Sequence, residues 1–140
     1  MPKHDTVLRW IDTLSALIAR ILRGDRSATL ELARQQLEDA KAMTLGPLHT
    51  LAPHLEPAQL AELLNDPHRI YGYARILAFE AALTRSAGSP ATADELTRQA
   101  LALADAAIAR ITPVPPEWTE WAAECRAPST ETNLPDRWPR

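Results

Sequence analysis

Proline and glycine punctuate this chain so regularly that they decide most of what it can fold into. Between the breaks, apolar residues recur at three- and four-residue steps, the period of an α-helix with one buried face. The breaks fall at Gly24, at Gly46 to Pro57 (GPLHTLAPHLEP), at Asn65-Asp66-Pro67, at Gly88-Ser89-Pro90 and at Thr112 to Pro116 (TPVPP). Proline removes a backbone donor and restricts the residue before it, so it starts helices well and continues them badly. Nearly every segment reads with this helical period.

The first segment places Val7, Ile11, Leu14, Ile18 and Ile21 on one face, with Trp10 and Leu17 together on a second. Asp5 is placed to cap it and Gly24 to stop it. A second helix is expected from an N-cap at Ser27, with Leu30, Ala33, Leu37 and Ala40 inward and Glu31, Arg34, Gln35 and Glu38 in water. It fades between Met43 and Gly46. Three prolines rule out a long helix in the stretch that follows, where a single turn at Pro47 to Leu51 is the most the spacing allows. Pro57 suits the first position of a short helix ending at Leu64.

Asp66 and Pro67 are cap and first residue of a long helix reaching Ala87. Ile70, Ala74, Leu77 and Ala81 form its stripe, widened by Tyr73, Ile76 and Leu83. Gly72 inside this helix costs about 1 kcal/mol relative to alanine, which a close helix–helix approach would explain. After the Gly88 turn, either Ser89 caps the next helix or Thr92 and Glu95 form a capping box. That helix runs to Ile111 with Ala93, Leu96, Ala100, Leu103 and Ala107 inward. A short final helix, Pro116 to Arg126, puts Trp118, Trp121, Ala122 and Cys125 on one face.

The expected architecture is therefore all-α, an antiparallel bundle of about five helices. Residues 1–126 form one domain that includes a C-terminal capping helix, and residues 127–140 form a flexible tail whose best anchor is Trp138. A chain of 140 residues is long enough to bury a core without metal or disulfide help.

The hairpin ARILAFEAALTRSAGSPATADELTRQALAL resembles a tetratricopeptide unit, through the small residues Ala81, Gly88, Ala93 and Ala100. Thr84, Thr97 and Asp105 stand where that repeat usually carries Tyr, Phe and Pro. The layout over about residues 5–111, with ILRGDRSATLELARQQLEDA followed by LEPAQLAELL, is similar to an uncharacterised bacterial family of short all-helical proteins known as a domain of unknown function. That resemblance implies an all-helical fold and a bacterial origin, and it brings no catalytic residues with it.

Composition excludes several classes. The single cysteine, Cys125, forbids an internal disulfide or a Cys-rich zinc site. The net charge of −3, with arginines interleaved among Asp and Glu, argues against nucleic acid. No apolar run approaches the roughly 18 residues that span a bilayer, and the first residues lack the apolar region of a signal peptide. A cytoplasmic protein without membrane contact is expected.

Candidate chemistry is sparse. His49, His54 and His68, with Glu56 nearby, are three N/O ligands that could in principle hold zinc, at a spacing that matches no established signature. No Glu-x-x-His bundle motif, nucleophile elbow, P-loop or dinucleotide fingerprint occurs, and no cofactor is expected. Ser27 and Ser89 are better explained as caps, and Cys125 as an apolar thiol. Trp118, Trp121, Tyr71 and Tyr73 make the candidate interaction or capping surface. Only one of the two tyrosines is expected on the main stripe, because residues two apart on a helix diverge. The tryptophan helix either folds back on the chain's own core, as terminal caps do in repeat proteins, or docks on a second copy or on another protein. The leading functional reading is a non-catalytic helical interaction or assembly module. Its partner is a protein, either a different chain or a second copy as a homodimer. The alternative is a small enzyme or metal-binding protein with a site near His49, His54 and His68.

Overall fold

The computed structural model describes residues 30–126, together with Asp12, Ala16, Ala19 and Arg20, which are helical. The expected stripe from Val7 to Ile21, the breaks and caps at Gly24 and Ser27, and the tail from residue 127 lie outside the described residues.

Among the described residues the protein is an all-α bundle of five α-helices: α1 (Leu30–Leu45), α2 (Pro57–Leu64), α3 (Pro67–Ser86), α4 (Pro90–Ala109) and α5 (Pro116–Arg126). Four of the five begin at proline, at the positions the sequence marks. Two single 3₁₀ turns, Gly46–Leu48 and Ala52–His54, occupy the proline-rich stretch. The first overlaps the expected turn at Pro47 to Leu51 and the second lies beyond it, each carrying a proline in its first two positions.

The ends of the helices have identifiable causes. Gly46 follows α1 with φ of +57°, a left-handed conformation that L side chains rarely adopt. The guanidinium of Arg69 reaches across from α3 and donates through Nε to the Thr44 carbonyl at 2.8 Å. A positive group thereby meets the negative end of the α1 dipole. At the start of α2, the Glu56 N–H donates to the Gln59 side chain at 2.9 Å. Asp66 caps α3 as expected, accepting from the His68 N–H at 3.0 Å. Gly88, at φ of +95°, closes α3 with a Schellman pair: Ser89 N–H to the Thr84 carbonyl at 3.0 Å, and Gly88 N–H to the Arg85 carbonyl at 3.1 Å.

One capping expectation needs correction. Ser89 precedes α4 but its side chain makes no cap hydrogen bond. Glu95 does not reach back to Thr92 either, because Arg98 and Gln99 hold its carboxylate instead. Those bonds, Arg98 first, keep the Glu95 carboxyl down at about 2. Proline at the first position and the preceding Schellman turn are enough to set where α4 begins.

Helix α3 is the centre of the molecule. Every residue from Arg69 to Ala74 is buried, as are Ile76 to Phe79 and Ala81 to Leu83. A helix covered on nearly all sides must be apolar nearly all round. It forms a tight antiparallel hairpin with α4, packs on α1, and α2 packs on α4. The alanines are what bring the hairpin close: Ala74, Ala78 and Ala81 on α3, and Ala93, Ala100, Ala104 and Ala107 on α4, are all buried. Ala100→Leu should therefore overpack this contact and lower stability by about 1–3 kcal/mol. Thermal melts of both proteins would show it, and an unchanged melting temperature would reject close packing at this point.

Candidate functional site

The tryptophans of α5 are buried, Trp118 at 5% and Trp121 at 8% exposure, with Ala122 beside them. The helix packs on α4, and its aromatic rings reach α3. The Trp118 ring stacks on Tyr71 with centroids 4.2 Å apart and planes 6° from parallel. Trp121 meets Tyr71 edge-on at 5.8 Å, and His68 meets Trp118 edge-on at 5.4 Å. Stacked and edge-on aromatic contacts add to what area burial contributes alone.

A cation completes the group. The guanidinium carbon of Arg75 lies 5.1 Å from the Trp121 ring centroid, and 5.8 Å from those of Tyr71 and Phe79. Its Nη1 donates to the Tyr71 hydroxyl at 3.3 Å. A cation over ring faces is attracted by their negative quadrupole, more strongly as water is excluded. Burial pushes the Tyr71 phenol above its ordinary value, against the opposing pull of Arg75, so the ring stays neutral. Arg75 was not among the residues singled out from the sequence. The signal was present: Tyr71, Arg75 and Phe79 repeat at four-residue steps on one side of α3.

The structure separates the two tyrosines and buries both, Tyr71 at 3% and Tyr73 at 7% exposure. Only one of them is expected on the main stripe, and the two lie on different sides of α3, both in the core. Residues two apart do diverge, but α3 is enclosed on more than one side. Tyr71 faces α5, whereas Tyr73 belongs to a polar group between α1 and α3. There Lys41 Nζ sits 2.7 Å from Glu80 and 3.2 Å from Glu38. Burial pulls the Lys41 ammonium down, but Glu80 and Glu38 more than offset it, and its pKa ends above the ordinary value. Such a lysine is held charged and is a poor nucleophile. The Tyr73 phenol is also raised, first by burial. An open cleft of about 250 Å³ adjoins this group, lined by Arg34, Leu37, Glu38, Glu80, Leu83 and Thr84.

The three histidines occupy different surroundings. His49 has Nε2 at 3.9 Å from Glu38 on α1. His68 lies against Trp118 and near Asp66, at 4.0 Å. His54 is exposed at the end of the second 3₁₀ turn. Among the described residues, no three His, Cys, Asp or Glu side chains are grouped so as to hold a metal ion. Replacing His49, His54 and His68 together by Ala should leave the helical circular dichroism and the mass in solution unchanged. Loss of a bound metal on that substitution would overturn this expectation. Cys125 is half-buried on the inner side of α5 and carries an interaction of its own.

No family model, curated protein or solved structure matches this chain. Among the described residues no helix is long and apolar enough to cross a membrane.

Proposed function

We propose that the protein is a non-catalytic helical interaction or assembly module. The observation that carries this reading is the apolar surface left outside. Leu51 and Leu63 are more than half exposed, at 51% and 55%, and Met43 is exposed at 39%. Meanwhile the titratable side chains with short contacts are spent on links within and between helices: Lys41 with Glu80, Arg85 with Asp94, Arg126 with Asp105. These pairs hold the helices in place against one another. The close alanine contact of α3 with α4 also supports a tetratricopeptide-like character for that hairpin, an architecture suited to protein partners. The expected partner is another protein or a second copy of the chain, in a bacterial cytoplasm.

Two measurements test the reading. Light scattering over a wide concentration range reports self-association, and affinity capture from the source organism reports a foreign partner. A chain that stays monomeric and captures nothing, yet turns over a substrate or retains stoichiometric metal through purification, would replace this reading with the enzyme alternative.

A further inference from the structure

The groove that holds α5 has a particular chemistry, and α5 is attached to the rest of the protein in a particular way. The groove presents Tyr71 as a stacking face, Arg75 as a cation over a second ring, and Asp105 on α4 as a charge near the far end. Helix α5 answers with Trp118, Trp121 and Arg126 in that order, and Arg126 pairs with Asp105. Each of these contacts is made by side chains. The backbone bond given by Trp118 stays local, to the Pro115 carbonyl.

The connector, residues 111–115, is the second observation. Pro113 and Pro115 lie within it and Pro116 follows. Among the described residues, the backbone N–H groups of Ile111, Thr112 and Val114 make no backbone hydrogen bond. Ile111 and Val114 rest on the core by side-chain contact alone. No ladder or turn bond is broken when such a segment straightens. Prolines bias it toward extended backbone, and at full extension it reaches about 17 Å.

We propose that α5 is an exchangeable element, and that self-association of this protein places α5 of each copy in the groove of the other. The occupant is a second copy because its α5 brings the same residues in the same register, so every contact described above re-forms. In the exchanged dimer each groove is incomplete without the other chain. The proposal rests on the assembly reading above and names a surface, the α5 groove, distinct from the exposed leucines that carry that reading.

The Asp105–Arg126 contact lets the exchange be read directly. In D105R alone, or in R126D alone, two like charges face each other within the chain. Mixing the two full-length variants restores opposite charges only when α5 passes between copies, and it then restores both contacts at once. Native mass spectrometry of an equimolar mixture, with one variant isotopically labelled, counts the species. The mixed dimer is expected to exceed either self-paired dimer by roughly tenfold, and the double variant D105R/R126D should behave like the unsubstituted protein. Both side chains are about half exposed, so each variant should keep its helical circular dichroism. Loss of that signal in either single variant would make the pair a structural requirement and count against exchange. Random pairing in a 1:2:1 ratio would overturn exchange and leave assembly through another face standing. Monomers throughout, in the unsubstituted protein as in the mixture, would overturn the exchange and self-association together.

Discussion

Trp118→Ala should lower the stability of the protein by about 3–5 kcal/mol, the range for removing a buried large aromatic. The loss has several sources. Trp118 is 5% exposed and stacks face to face on Tyr71. Its removal leaves a cavity against α3 and strips the edge contact from His68. A helix of 11 residues is marginal in water without tertiary contact, so α5 depends on this ring and on Trp121 to stay folded. Truncation after Ile111 should have a larger effect of the same kind, because it exposes Tyr71 and the apolar side of α4 together. Truncation after Arg126 keeps α5 whole and should change little. Chemical denaturation of the full chain and the three variants would rank them, and equal midpoints for the full chain and the chain ending at Ile111 would show that α5 does not cap the core.

Arg69→Ala should cost about 1.5–3 kcal/mol, the range for a hydrogen bond to a charged group. Arg69 is 7% exposed, and its guanidinium covers the end of α1 at the point where Gly46 turns the chain away. Without it, the Thr44 carbonyl keeps its burial and loses its donor, which is the expensive way to lose a hydrogen bond. The contact joins residues 25 apart in sequence, so its loss should be felt as loosening of α1 against α3. Hydrogen exchange of the amides from Ala40 to Leu45 would detect that directly. Arg69→Lys keeps the charge but gives up the planar guanidinium, and should recover only part of the loss. Unchanged exchange rates in Arg69→Ala would show that the α1 terminus is held by packing alone.

The helix boundaries were legible because their causes are local. Pro57, Pro67, Pro90 and Pro116 each open a helix, and a proline ring has the same fixed φ in any context. Asp66 could be named as a cap from its neighbours alone. Ser89 could not, since a hydroxyl beside the right backbone has the option of a cap and no obligation to form one. The aromatic face of α5 was also legible, as a spacing of three, four and seven residues. What it would rest on was not, because Trp118 and Tyr71 are 47 positions apart and no local rule links them.

Side-chain periodicity, proline position and the small residues at Ala74, Ala81, Ala93 and Ala100 are properties of short stretches, and they alone determined that this chain is an all-α bundle with a close α3–α4 hairpin. The tertiary structure decided the rest: that Tyr71 and Tyr73 are both buried on different sides of α3, that Arg75 lies over Trp121 while Arg69 closes α1, and that the three histidines stand in different surroundings. The reason is physical. Local rules act through bond geometry and reach a few residues, whereas burial, cation–π contact and ion pairing depend on which helices lie side by side in space.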